Sequence, residues 1–68
     1  MKTRVDVTFN GASNFYFFNF GLESFIKYWN FQIANAGYFS QMDSKGTYVT
    51  INPSQCGVIE FREVEINE

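Results

Sequence analysis

The chain contains no histidine and only one cysteine, Cys56. Without histidine, neither a Ser-His-Asp nor a Cys-His catalytic arrangement can form within the chain. A single cysteine excludes an intrachain disulfide, and one cysteine without histidine cannot hold a structural zinc ion. The sequence therefore excludes several common catalytic and metal-binding sites, and we interpret Cys56 as a small buried hydrophobic residue.

Glycine clusters and basic residues are also scarce. The five glycines are isolated from one another, so no glycine-rich phosphate-binding loop is present. The chain has five Lys and Arg residues and seven Asp and Glu residues, which gives a net charge of −2. Proteins that bind duplex nucleic acid normally present a basic surface. We therefore expect no bound cofactor, no metal ion and no direct contact with a duplex.

Long apolar runs are absent as well. No segment approaches the roughly 20 apolar residues that a membrane-spanning helix needs. Residues 1–4 lead directly into an alternating strand pattern instead of the apolar core of a signal peptide. An unpaired thiol is typical of a reducing compartment. These features predict a cytoplasmic protein that does not associate with membranes.

Aromatic residues, by contrast, are abundant. Nine Phe, four Tyr and one Trp make up 21% of the 68 residues. Each ring buries about 150–250 Å² when it is fully covered, and a domain of this size buries only about 60% of its surface. The interior cannot shelter all of these rings, so we expect an exposed aromatic surface, which commonly marks an interaction site.

The first third of the chain predicts a β-hairpin. Residues 4–9 alternate between apolar and polar side chains, and Asn10-Gly11 is a strong turn signal. We expect the loop to continue to Asn14. Residues 15–18 are then apolar on both sides, which is typical of a central strand covered on both faces.

A helix over residues 22–35 should follow. Gly21 is the expected N-cap, with Phe20 and Phe25 at the two positions of a hydrophobic staple, and Gly37 is the expected stop.

Helical spacing places Tyr28 and Phe31 on the face opposite the apolar stripe. Two interpretations of Phe31 remain open at this point. Phe31 lies outside the core of the monomer, or the helix ends early at Asn30 and Phe31 turns back into the core.

The second half predicts three more strands. Residues 38–42 and 47–51 form a hairpin around a turn at 43–46, and residues 58–65 form a last strand with a bulge near Arg62. The order β-β-α-β-β-β predicts a single α+β domain over residues 1–68, with one small antiparallel sheet and the helix packed across a face.

Our main functional hypothesis is a non-enzymatic protein-binding module that forms a homodimer and contacts its partner through surplus aromatic and acidic side chains. The expected contact residues are Tyr28, Phe31, Tyr38, Tyr48, Glu63 and Glu65. Three alternatives stay open: an acidic mimic of nucleic acid that inhibits a nucleic-acid-binding protein, a structural part of a larger assembly, and a small-molecule-binding domain with an aromatic pocket.

Carboxylates from the first and last strands raise the further possibility of a paired-carboxylate site. Asp6, Glu60 and Glu63 come close together if these strands are neighbours. Structural ion pairs with Lys2, Arg4 or Arg62 are the simpler expectation.

The segment from Val49 to Gln55, followed by Val58-Ile59-Glu60, resembles small accessory proteins of phages and mobile elements in low-GC Gram-positive bacteria. The resemblance lies in size, layout and composition, and it identifies no individual functional residue. It implies a protein of the host cytoplasm that blocks or redirects a host protein, as anti-CRISPR inhibitors do.

Overall fold

The computed structural model describes residues 1–65 and confirms the α+β class and the β-β-α-β-β-β order. Its elements are β1 (Lys2–Phe9), β2 (Ala12–Phe18), α1 (Leu22–Ala36), β3 (Phe39–Met42), β4 (Tyr48–Ile51), a 3₁₀ turn (Pro53–Gln55) and β5 (Ile59–Val64). The strands divide into two antiparallel sheets, one in the order β2-β1-β5 and one formed by β3 and β4.

The first hairpin closes in a tight turn. Asn10 and Gly11 have φ angles of 50° and 80°, the signature of a two-residue type I′ turn. Because this turn needs only two residues, β2 begins at Ala12, and the predicted loop to Asn14 is wrong. The predicted central position of residues 15–18 is also wrong, because β1 occupies the centre of its sheet and β2 lies at the edge.

Helix α1 begins and ends as its glycines predict. Gly21 is the N-cap, and the rings of Phe20 and Phe25 stack with centroids 5.8 Å apart, which confirms the staple. At the other end Gly37 adopts a left-handed φ of 82°, and its N–H donates to the Ile33 carbonyl. Since α1 continues to Ala36, Phe31 points outward and the early-ending alternative is excluded.

The core lies between α1, the inner face of the three-stranded sheet and the β3–β4 hairpin. Its buried apolar members are Val5, Val7, Phe18, Phe25, Phe39, Val49 and Ile51. Phe25 sits at the centre of a ring cluster, with centroids 5.0–6.1 Å from those of Phe18, Phe20, Trp29, Phe39 and Phe61. Aromatic packing therefore holds the helix to both sheets.

Strand β5 pairs with β1 in unbroken register from Ile59 to Val64, so the predicted bulge near Arg62 is wrong. The irregularity lies just before the strand. The Thr8 N–H donates to the Val58 carbonyl, and the Thr8 carbonyl accepts from the Gly57 N–H. Gly57 and Val58 thus oppose the single residue Thr8 of β1. From Ile59 onward the register places Ile59 and Phe61 opposite Val7 and Val5, on the core side.

The second hairpin turns at 43–46 as expected. The Asp43 carboxylate accepts hydrogen bonds from the backbone N–H groups of Lys45 and Thr47, and Gly46 has a φ of 87°.

The free edge of β3 is covered by a side chain of α1. The Gln32 amide donates to the Ser40 carbonyl at 3.1 Å and accepts from the Ser40 N–H at 2.8 Å. One glutamine therefore replaces the backbone contacts that a neighbouring strand would make at Ser40.

No helix within residues 1–65 has the length and apolar character needed to cross a membrane.

Candidate functional site: exposed aromatic surfaces and a polar pocket

The aromatic residues outnumber what the interior can cover. Of the fourteen rings, only those of Phe18, Phe25 and Phe39 are buried. Six are exposed: Phe9, Phe15, Tyr28, Phe31, Tyr38 and Tyr48. The expectation that several rings are exposed is therefore confirmed, and the expected aromatic contact residues, Tyr28, Phe31, Tyr38 and Tyr48, are among these six.

Two of the exposed rings lie together on one side of α1. Phe31 is 65% exposed and Tyr28 is 43% exposed, and their spacing of three residues makes them neighbours on the helix surface. Tyr28 also borders a shallow depression of about 280 Å³, whose other lining residues are Phe20, Ser24 and Gln41. We call Tyr28, Phe31 and this depression the α1 flank.

The other two predicted aromatic contacts lie elsewhere. Tyr48 stands opposite Met42 on the outer face of the β3–β4 hairpin, and both side chains are more than half exposed. Tyr38 is exposed in the short connection between α1 and β3. The four expected aromatic contacts thus lie in three separate parts of the chain: α1, the connection after it, and β4.

Glu63 has a partner within the chain that the sequence did not reveal. Its carboxylate accepts a hydrogen bond from the Leu22 N–H at 3.0 Å, at the N-terminus of α1. Gly21 supplies no side-chain cap, so Glu63 provides the anion that a helix N-terminus favours. Glu65 is exposed just beyond β5.

The outer face of the three-stranded sheet carries a charged and aromatic cluster. The Arg4 guanidinium lies 4.4 Å from the centre of the Phe15 ring and donates to the Asp6 carboxylate at 3.0 Å. Arg62 stands directly opposite Arg4, and its Nε lies 3.9 Å from the same carboxylate. Asp6 therefore offsets the repulsion between two like charges that face each other across β1 and β5.

Asp6 makes the expected structural ion pairs, with Arg4 and Arg62, whereas Glu63 accepts from the Leu22 N–H instead. Although Glu60 stands directly opposite Asp6, Glu63 belongs to the other face of β5. Within residues 1–65, no group of three or more His, Cys, Asp or Glu side chains is placed to hold a metal ion.

Replacing Asp6 by Asn should lower the free energy of unfolding by up to about 1 kcal/mol, the upper range for partly exposed ion pairs. The reason is that Arg4 and Arg62 would then repel each other across β1 and β5. Urea denaturation at low and high salt measures the effect, which should shrink in high salt. The control is Glu60→Gln, which removes a carboxylate from the same face; an equal loss in both variants would contradict the role of Asp6.

A second cavity lies at the far end of the first hairpin, on the inner face of the sheet. It has a volume of about 410 Å³ and is partly open to solvent. Its lining residues are Val7, Phe9, Asn14, Tyr16, Thr50, Ile51, Asn52, Gln55 and Cys56. Among residues 1–65, no Asp, Glu, Lys or Arg side chain borders this cavity, which we call the hairpin pocket.

Cys56 connects this pocket to the core. Its thiol donates to the Asn52 carbonyl at 3.3 Å, and the residue is half-buried against the core cluster. The packing interpretation of Cys56 is compatible with this position.

No protein-family model, curated protein or solved structure matches this chain. The functional argument therefore depends on the geometry of the surfaces described above.

Proposed function

We propose that this chain is a non-enzymatic protein-binding module that docks through the α1 flank and forms a homodimer. The exposure of Phe31 is the observation that carries the proposal. A phenylalanine that is 65% exposed on a helix, beside a half-exposed tyrosine, leaves a large apolar area in water. Covering such rings with a protein surface is favourable at about 25 cal/mol per Å² of apolar area removed from water.

The form of the flank supports a protein partner. Tyr28 is fixed from beneath, because its ring makes edge contacts with Phe20 and Phe39 at 6.2 and 6.1 Å. A ring that is already held loses little conformational freedom on binding, which is a property of interface hot spots. The depression beside Tyr28 can receive an apolar side chain from the partner.

A second copy of the chain is the partner that we propose first. Two copies related by a twofold axis would place the protruding Phe31 of one copy against the depression of the other. The resemblance to small phage accessory proteins implies a further, host-derived partner, without indicating which surface it contacts.

Phe31→Ala should weaken dimer formation at least about tenfold, a typical result for removing an aromatic hot spot. Sedimentation velocity over a concentration series measures the dissociation constant of the dimer. Val58→Ala is the matched control, because Val58 is an apolar residue that is 54% exposed on a different part of the surface. A wild-type chain that remains monomeric at the highest concentration would overturn the homodimer.

A further inference from the structure

We infer that the hairpin pocket is a binding site for an uncharged nucleobase, separate from the α1 flank. The inference does not depend on the proposed protein-binding function, because the two surfaces share no residue. A volume of about 410 Å³ lies within the range of about 300–1,000 Å³ that small-molecule sites occupy.

Two aromatic rings, those of Phe9 and Tyr16, line the pocket. Phe9 and Tyr16 take part in none of the ring–ring contacts within residues 1–65, whereas the rings around Phe25 contact one another repeatedly. Phe9 is also 45% exposed. Tyr16 packs partly against the core, so the exposed ring of Phe9 is the one better placed to stack on a planar base.

The polar groups of the pocket are available to a ligand. Within residues 1–65, no hydrogen bond uses the side-chain amides of Asn14 or Gln55, or the hydroxyl of Tyr16. The Asn52 oxygen accepts from Ser54, which leaves its NH₂ group to donate. Amides both donate and accept, and this combination matches the edge of a nucleobase.

The charge of the lining defines the ligand more closely. Because none of the described residues that border the pocket is cationic, a phosphate group would find no charged partner among them. None of these lining residues carries a carboxylate to hold a cationic ligand either. A neutral base, free as a nucleoside or unpaired in a single strand, therefore fits the pocket better than a nucleotide does.

The binding site can be tested by titrating ¹⁵N-labelled protein with adenosine, adenosine monophosphate or glucose. We expect adenosine to shift the side-chain amide signals of Asn14, Asn52 and Gln55, with a dissociation constant on the order of 0.1 mM. Adenosine should also slow the modification of the Cys56 thiol by a disulfide reagent, since Cys56 borders the pocket. The absence of both effects would overturn the inference.

The other ligands decide the chemical class. Glucose offers hydroxyl groups without a planar π face, so equal binding of glucose and adenosine would refute the nucleobase assignment. Adenosine monophosphate should bind no more tightly than adenosine, and much tighter binding would show that the ligand is anionic. A short oligoadenylate separates the two sources of the base: tighter binding than adenosine identifies a single strand, and equal binding per base identifies the free nucleoside.

Two matched pairs of variants locate the site. Phe9→Ala should weaken adenosine binding about tenfold through lost stacking, whereas Phe15→Ala, which removes an exposed ring from the opposite face of the sheet, should not change it. Asn14→Ala should weaken binding about fivefold through a lost hydrogen bond, and the neighbouring Ser13→Ala should leave it unchanged. Because Phe31→Ala lies outside the pocket, its effect on dimer formation and these effects on adenosine binding can fail independently.

Discussion

Phe25→Ala is expected to remove about half or more of the chain's free energy of unfolding. Truncating a fully buried phenylalanine costs about 3–5 kcal/mol, and the whole free energy of unfolding for 68 residues is roughly 3–10 kcal/mol. The cost of the truncation should lie near the upper end of the range of about 3–5 kcal/mol, because Phe25 is 0% exposed and contacts five other rings. Far-ultraviolet circular dichroism and urea denaturation measure the loss.

Phe31→Ala supplies the control for this result on the same helix. It removes the same side chain from a position that is 65% exposed, so its free energy of unfolding should change by less than about 0.5 kcal/mol. Equal destabilisation by the two variants would contradict the division of α1 into a core face and an exposed flank. The comparison also shows whether Phe31 variants are suitable for binding experiments.

The elements that the sequence predicts well are those with a local signal. Gly21, Gly37 and the alternation of β1 depend on backbone conformation and side-chain period, which neighbouring residues determine. The order of the elements and the α+β class follow from these signals. The prediction of the exposed rings required only a comparison of aromatic content with domain size.

The misjudged elements depend on contacts between distant parts of the chain. The run at 15–18 is apolar on both sides, and the same pattern suits a buried central strand or an edge strand with exposed rings. The structure selects the second case, because β2 lies at the edge of its sheet and Phe15 is exposed. The Arg4 guanidinium of β1 lies over the rings of Phe15 and Phe17, a contact between strands that no local pattern indicates.

The candidate-site residues likewise divide into those that a local pattern predicts and those that depend on contacts between distant parts of the chain. Phe31 could be selected from helical spacing, whereas the capping contact of Glu63 joins residues that are 41 positions apart. The hairpin pocket likewise combines the first hairpin with the segment that follows β4. No sequence pattern links these two parts, so the pocket becomes visible only when the sheets are assembled.

The positions of Glu63 and Glu65 make them unequally suited to charge-reversal experiments. A charge reversal at Glu63 would remove the contact with the Leu22 N–H, so a loss of activity could reflect a weakened helix N-terminus. Glu65 makes no such contact among the described residues and is exposed. The acidic-mimic hypothesis is therefore tested more cleanly by reversing Glu65 alone.

Gln32→Ala is expected to lower the free energy of unfolding by about 2 kcal/mol, because two hydrogen bonds to Ser40 are lost at about 1 kcal/mol each. The edge of β3 would then be open to pairing with other strands, so the variant should also aggregate more readily. Urea denaturation measures the loss of stability. Faster hydrogen exchange of the Ser40 N–H reports directly that the edge of β3 has opened. Gln32→Glu keeps the acceptor but loses the donor, so its loss of stability should be intermediate. Asn35→Ala removes an exposed contact within α1, so its free energy of unfolding should be nearly unchanged. Unchanged exchange at Ser40 in Gln32→Ala would show that the glutamine does not protect this edge.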